Sequence, residues 1–594
     1  MSKIVFDLET NGLLDELNTI HCIGYVDISL DVDDQKIKVA TTEEEIEETI
    51  KILQSAEVLI GHNIVRFDIP AIQKVFPEFK PQGRQLDTLV LSHLVKANLL
   101  DDDFTNTSLP EGFLKRMYGS HSLKAWGMRI DILKDDYEGG WEEGNQEMYD
   151  YCAQDVEVTK ALYYLLMAEG FTEESIEFEH ELNEICYRIG NNGWNFDIEK
   201  ASELYGELAD RRIQLEKQLQ ECFPPWIVET PFIPKVNNAK LGYKKGETFI
   251  KKKEVQFNPN SRKHIHKCLK DKYPDIKFTK WTPSGDPKLD ESVLVKMPYP
   301  EAKLLAEMFL LQKRIGQLAE GKNAWLKLVD KDGKLRHTII SNSTVSARCS
   351  HRSPNIAQVP STRAVYGKQC RELFTVPKGW YLCGSDLQAL ELRCLAGFLD
   401  DGGEYGRQII EEDIHTYNQK AAGLKTRDES KQFIYSLIFG GGDLLIGKIV
   451  GGNAKDGKRL KEEFYRSIPA FKRLKDELHR AYKARGFIRG IDGRRLYVRS
   501  EHRLLSQLLQ STGSIVSKNW LRLIDKEIKK QKLKSTILAY IHDEVQISCP
   551  TEEEAHHVGR NIAGRMAEKA KDPFRLQIGF EASYSISRDW SGSH

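Results

Sequence analysis

Tyr540-Ile541-His542-Asp543-Glu544-Val545-Gln546-Ile547-Ser548 is the stretch on which the reading of this chain turns. Two acids stand between two short runs of apolar and β-branched residues, which predicts a hairpin with carboxylates at its tight turn. Apolar strands do not normally bring adjacent acids to a shared tip unless something cationic sits there. A further acid, Asp386, follows a second strand-like run, Trp380-Tyr381-Leu382-Cys383-Gly384-Ser385. Two such carboxylates meeting could hold a pair of divalent metals for in-line phosphoryl transfer. Taken alone, the His-Asp-Glu triplet is more often a solvated turn, so the rest of the chain decides.

The 594 residues suffice for three or four domains of ordinary globular composition. The start, Met1-Ser2-Lys3-Ile4-Val5-Phe6, lacks a signal-peptide layout, and no apolar run is long enough to span a membrane. The ten cysteines are scattered without CxxC pairs or zinc spacing, as reduced thiols of a cytoplasmic protein would be. Net charge is −2, but residues 1–160 hold 31 acids against 15 Lys/Arg, about −16, which leaves about +14 for the remainder. Pro234–Lys280 alone carries 14 Lys/Arg against 4 acids. A long anionic polymer fits the C-terminal two thirds, although a solvated basic face would carry the same charge.

In the acidic third, Lys3-Ile4-Val5-Phe6-Asp7-Leu8-Glu9-Thr10 reads as a buried strand that puts Asp7 and Glu9 on one face. A second run, Val58-Leu59-Ile60, leads into Gly61-His62-Asn63-Ile64-Val65-Arg66-Phe67-Asp68. Met148–Val158 reads as a helix on which Tyr151 and Asp155 share a face. At ~5 Å and an effective dielectric of ~20, each pair of converging acids costs about 3 kcal/mol. Such a cluster needs cations, and hard oxygen donors favour Mg²⁺ or Mn²⁺. A lone DxE is commonly surface decoration; DxE, then NxxxFD, then YxxxD in order is specific. This set resembles the DEDDy three-prime-to-five-prime exonucleases. The resemblance implies that Asp7, Glu9, Asp68 and Asp155 hold two metals and that Tyr151 orients the attacking water.

In the basic part, Thr426–Phe439 reads as a helix that Thr426 caps and Gly440-Gly441-Gly442 ends. Arg427, Lys431, Tyr435 and Phe439 recur every four residues and form one slowly drifting stripe. Two cations near a helix N-terminus suit a triphosphate, and the rings beyond them suit a base or sugar.

Together these features resemble family A DNA polymerases. Asp386-Leu387-Gln388-Ala389-Leu390-Glu391-Leu392-Arg393 matches the first palm motif, the Arg427–Phe439 stripe the nucleotide-binding helix of the fingers, and His542-Asp543-Glu544 the second palm motif. Smaller matches are Ser346-Ala347-Arg348 with Pro354-Asn355, Asp413-Ile414-His415-Thr416, and Leu508-Leu509-Gln510-Ser511. Gln312-Lys313-Arg314-Ile315-Gly316-Gln317, Glu391–Ala396 and Asp492-Gly493-Arg494 resemble the replicative branch of T-seven-type phages. The resemblance implies an α/β multidomain chain: an RNase H-like DEDDy exonuclease domain at 1–182, a thumb at 183–339, a palm from 340–389 and 507–594, and fingers at 390–506. It leaves no room for an N-terminal five-prime nuclease.

The same resemblance implies the working parts. Asp386, Asp543 and the Leu387 carbonyl would hold two Mg²⁺, with Mn²⁺ able to substitute. Arg427, Lys431 and His415 would bind the triphosphate, and Lys431 would pass a proton to pyrophosphate. Tyr435, with Phe439 beyond it, would stack on the nucleotide, and Glu391 would fill the space a ribose two-prime hydroxyl needs. Arg348, Gln510, His542 and Glu544 would contact DNA. Four positions depart from the family pattern: Gln388, Ala347, Ser506 and Phe439. The stretch Phe223–Gln256 is short where T-seven-type enzymes carry a large thumb insertion that recruits thioredoxin. It reads as a basic hairpin or loop touching DNA directly, without thioredoxin. Expected partners are primer–template DNA, dNTPs, a helicase–primase and a single-stranded DNA-binding protein, with the chain a monomer in the host cytoplasm. A repair-type polymerase of the same family, or an exonuclease with a non-catalytic DNA-binding C-terminal region, are the alternatives.

Overall fold

The computed structural model describes residues 2–132 and 137–593. The chain divides into two units: Met1–Trp194, Arg336–Gln358 and Val376–His594 form one, and Asn195–Leu335 with Val359–Thr375 form the other.

In the first unit, strands β1 (Lys3–Thr10), β2 (Ile20–Asp27), β3 (Lys38–Ala40), β4 (Val58–Gly61) and β5 (Arg84–Asp87) form a sheet of order β3-β2-β1-β4-β5. β1 is antiparallel to β2 and parallel to β4. The period of two in β1 is realised as two cores: Ile4, Phe6 and Leu8 enter one, while Val5 enters the other. Helices α1 (Asp68–Val75), α2 (Gln146–Met167) and α3 (Glu173–Asn192) belong to the same unit. The Asn145 side chain caps α2 by accepting the Met148 amide at 2.9 Å. Gly24 lies opposite Asp7 across the β1–β2 ladder. A Cβ there would sit 3.0 Å from Val156 Cγ2 and 3.1 Å from Cys152 Sγ, so glycine lets α2 seat directly over the β1–β2 pair.

In the second unit, α4 (Ile198–Cys222) packs against α5 (Pro300–Ile315), and Arg211 holds Glu307 at 2.7 and 3.0 Å. The sequence reads as one helix over Ala302–Trp325, but α5 stops at Ile315. A π-turn covers Gly316–Glu320, and the Gly321 amide donates to the Gly316 carbonyl at 3.0 Å. A Cβ on Gly321 would lie 2.4 Å from that carbonyl oxygen, so glycine at 321 permits the tight wrap that ends the helix. Phe223–Gln256 contains the hairpin of β6 (Trp226–Phe232) and β7 (Phe249–Val255), exposed along the middle of both strands.

The rest of the first unit contains β8 (Tyr381–Leu387), α6 (Leu390–Phe398), α7 (Ile414–Ala422), α8 (Arg427–Ile438), the short hairpin of β9 (Ile488–Arg489) and β10 (Arg495–Leu496), the long helix α9 (Leu504–Lys530), and strands β11 (Thr536–Ile541), β12 (Glu544–Cys549) and β13 (Ala582–Ser587). The antiparallel sheet runs β11-β12-β8-β13. β8 extends through Asp386, which pairs with Glu544 on one side and Ser583 on the other. The β9–β10 turn carries Asp492 and Arg494 into a buried ionic cluster. Arg494 donates to Glu179 of α3 at 2.7 Å and to Asp492 at 2.8 Å, and Lys518 of α9 lies 2.9 Å from Glu179. Four charges, two of each sign, neutralise one another where three segments meet.

Two candidate active sites

The first site grows from β1 and α2. β1 presents Asp7 and Glu9, α2 presents Asp155, and one carboxylate oxygen from each lies within 4.8 Å of the others. Oxygens that crowded suit a hard divalent cation. Tyr151 stands one turn before Asp155, its ring 5.9 Å from that of Tyr137. The Cys152 thiol reaches the Asp7 carbonyl at 3.6 Å, which ties helix to strand between the two acids. Asp68 opens α1 and is buried. Its carboxylate accepts the Leu8 amide, and it is not one of the three clustered oxygens. Burial first, then the charges of Asp87 and Asp155, push its carboxyl up to about 8.

Asp87 is a residue the sequence reading did not single out. It is buried, and its Oδ1 accepts the Asn63 amide at 2.8 Å and the Leu89 amide at 2.9 Å. Its own amide donates to His180 Nε2 at 2.8 Å. Asn63 sits at φ +68° in the loop that delivers Asp68, and Asp87 clamps that turn. The legible signal was an Asp that ends a strand run and caps the following helix.

The second site sits on the antiparallel sheet. His542 and Asp543 make the β11–β12 turn, with His542 at φ +60°. The Leu387 amide donates to the Asp543 carbonyl at 3.0 Å and ties the turn to the end of β8, beside Asp386. Burial first, then Asp543, Glu544 and Glu391, push the Asp386 carboxyl up to about 7. Burial first, then Glu391 and Glu544, push that of Asp543 up to about 6. Carboxyls held this high mark a place where charge is expensive without a cation. A cavity of about 180 Å³ brings Arg348, Glu391, Gln510, His542 and Asp543 together, and Arg348 lies 3.7 Å from Glu391. Ala347 sits at φ +62°, a left-handed backbone that favours glycine.

α8 begins with a capping box of Thr426 and Glu429. The Arg427 guanidinium rests on Asp413, the cap of α7, at 2.7 and 3.1 Å. His415 follows Asp413; Ser430 Oγ donates to the His415 carbonyl at 2.7 Å. Burial first, then the cations Arg427 and Lys431, lower the pKa of His415. The Tyr435 ring lies 6.4 Å from His415 and stacks on Phe439 at 6.5 Å. Glu544 is placed differently from the other expected DNA contacts. It is buried, and its Oε1 accepts Trp590 Nε1 at 2.6 Å and Gln546 Nε2 at 2.7 Å.

Residues 238–592 match DNA polymerase family A, and residues 4–167 match the RNase_H superfamily. The DNA-directed DNA polymerases of Escherichia phage T7 and Enterobacteria phage T3 are each 33% identical over 93% of this chain and 95% of their own length. DNA polymerase I of Bacillus caldotenax is 23% identical over 56% of this chain and 40% of its own. The fold is shared with the POL domain of Pol1 from M. smegmatis, solved in complex with DNA primer–template and dNTP. That likeness has a TM-score of 0.75 at 17% identity and covers 100% of this chain and 96% of that one. Among the described residues no helix is long and apolar enough to cross a membrane.

Proposed function

The chain belongs to DNA polymerase family A and is a DNA-directed DNA polymerase of phage type with an RNase H-like domain; from that premise we propose how its residues divide the work. Both activities depend on divalent metal. Asp386, Asp543 and the Leu387 carbonyl would hold Mg²⁺ in the polymerase site, and Asp7, Glu9, Asp68 and Asp155 would hold it in the exonuclease site. When bound, the cations acidify the attacking oxygen and neutralise charge on the phosphate and leaving group.

Everything else falls to the protein. Arg427, Lys431 and His415 grip the triphosphate, and Lys431 hands a proton to the departing pyrophosphate. Tyr435 and Phe439 stack on the incoming nucleotide. Glu391, held by Arg348, fills the space of a ribose two-prime hydroxyl. Arg348, Gln510 and His542 meet acceptors that all base pairs share in the minor groove, so they test pair shape. Glu544 backs the turn from inside. At the other site Tyr151 orients the water that attacks a frayed three-prime end. Residues 1–182 form the proofreading domain, 183–339 the thumb, 340–389 and 507–594 the palm, and 390–506 the fingers. The observation that carries the reading is the crowding of acids at two separate places, each built from strand and helix or from two strands.

A cation test follows from the raised carboxyls. Asp68, Asp386 and Asp543 are held up to about 8, 7 and 6. A folded-state pKa above the unfolded one gives stability that is full below the unfolded value and lost as pH rises through the folded one. The metal-free protein therefore loses stability from about pH 4 upward, with Asp386 still titrating to about 7 and Asp68 to about 8, and a cation restores most where protons no longer compete. Thermal melts should show a Mg²⁺-induced rise in Tm that is larger at pH 8 than at pH 6. Buried histidines such as His93 and His351, both lowered to about 4, cancel in that difference. An equal rise at both pH values would contradict the assignment.

The thumb hairpin is proposed to hold DNA without thioredoxin. Lys251 and Lys253 share one face of the ladder, and Lys251 lies 3.8 Å over the Phe232 ring. On the other face Lys252 pairs with Glu229 at 2.9 Å. The chain is expected to act as a monomer beside a helicase–primase and a single-stranded DNA-binding protein in the host cytoplasm. Extension of a long primed template by the purified protein, with Mg²⁺ and a DNA trap, should give long products. Short products that thioredoxin lengthens would overturn this part.

A further inference from the structure

We propose that Ser517 and Tyr540 are positioning residues for Asp543, acting through the main chain of the turn that carries it. Ser517 lies in the middle of α9 and is fully buried. Its Oγ donates to the His542 carbonyl at 2.6 Å, and the Tyr540 hydroxyl donates to Ser517 Oγ at 3.0 Å. Each hydroxyl donates once, and the chain of two bonds ends on the residue before Asp543. From the opposite strand the Leu387 amide holds the next carbonyl, that of Asp543, at 3.0 Å. The turn is thus gripped at two successive carbonyls from two elements. That grip sits where His542 takes a left-handed φ of +60°, which the surroundings must enforce.

α9 is itself fixed at this level. Lys518 binds Glu179 at 2.9 and 3.0 Å, Asn519 donates to the Ala570 carbonyl at 2.9 Å, and Trp520 donates to the Ala563 carbonyl at 2.8 Å. Three consecutive residues pin the rotation of the helix, and Ser517 immediately precedes them. One and two turns earlier, Ser514 and Gln510 line the cavity beside Asp543. The buried Glu179–Arg494 cluster therefore sets the orientation from which Ser517 reaches the turn. This links the Asp492-Gly493-Arg494 motif to the Asp543 turn through α9.

The inference rests on Asp543 being a metal ligand. Ser517→Ala leaves the His542 carbonyl and the Tyr540 hydroxyl without their partner. Groups that orient a ligand typically change metal affinity or activity by about 10–100-fold. Ser517→Ala should lower kcat for extension by about that factor, with the KM for dNTP within about twofold. Mn²⁺ binding, followed by electron paramagnetic resonance in an Asp7→Ala background, should weaken similarly. Tyr540→Phe should move both readouts in the same direction, and Ser517→Thr, which keeps the hydroxyl, should restore them. Three-prime-to-five-prime degradation by Ser517→Ala in the otherwise native chain should be unchanged, which separates positioning from loss of fold. Wild-type extension and Mn²⁺ binding by Ser517→Ala, with Asp543→Ala inactive, would overturn this inference alone. Equal loss of extension and degradation would also overturn it, in favour of a structural role. Extension by Asp543→Ala would overturn the site reading beneath it.

Discussion

Asp543→Ala is expected to lower nucleotide incorporation by at least about a thousandfold, roughly 4 kcal/mol at 1.36 kcal/mol per decade. The size follows from what the turn does. Asp543 stands in the turn beside Asp386, buried enough that its carboxyl is raised to about 6, yet ionised at pH 8. Alanine removes one of the two carboxylates that make this place attractive to a cation, and no neighbour substitutes. Glu544 is engaged by Trp590 and Gln546, and Glu391 lies beside Arg348. Rapid-quench incorporation of a single nucleotide at saturating dNTP measures the loss. Incorporation within tenfold of wild type would show that Asp543 is not a ligand.

Glu179→Gln is expected to be the most destabilising single change outside the sites, by about 3–5 kcal/mol, because it leaves buried cations without their anion. Lys518 is fully buried with its ammonium 2.9 and 3.0 Å from Glu179, and Arg494 would keep Asp492 and the neutral Asn342 oxygen. Paired replacement of Glu179 and Lys518 by methionine should cost less than Glu179→Gln alone, since no buried charge is stranded. Urea unfolding of the three proteins tests the ordering. Burial works against ionisation of Asp492, but Arg494 more than offsets it and lowers its pKa below the usual carboxylate range. That contribution is present above the unfolded pKa and lost as pH falls through the folded one. Wild type and Glu179→Gln should therefore both lose this contribution as the pH falls.

What could be read in the sequence was local and periodic. The strand that carries Asp7 and Glu9, the capped helix from Arg427, and the hairpin around Asp543 each announce themselves by spacing, cap and turn chemistry within about a dozen residues. Asp386 was also visible, although its strand runs through it instead of stopping before it. What could not be read depends on contacts between distant residues. Asp87 clamps the Asp68 loop 22–24 residues away. Glu544 turns to Trp590, 46 residues on. Ser517 reaches His542 over 25 residues, and none of these pairs has a spacing signature. The break after Ile315 was missed for another reason: apolar periodicity continued across Gly316 and Gly321, while the backbone left the α-helix. Ala347 hid a left-handed φ, because alanine gives no hint of one.

The two carboxylate sites on this chain are expected to work independently. They are tested with a primer–template whose three-prime end is either matched or mismatched and three proteins: wild type, Asp7→Ala and Asp543→Ala. Each is assayed with Mg²⁺, with and without dNTPs. Asp543→Ala should degrade the primer like wild type but never extend it. Asp7→Ala should leave the mismatch in place and still extend a matched primer at the wild-type rate. A single substitution that silences both activities in a folded protein, or Asp7→Ala that still removes the mismatch, would contradict it.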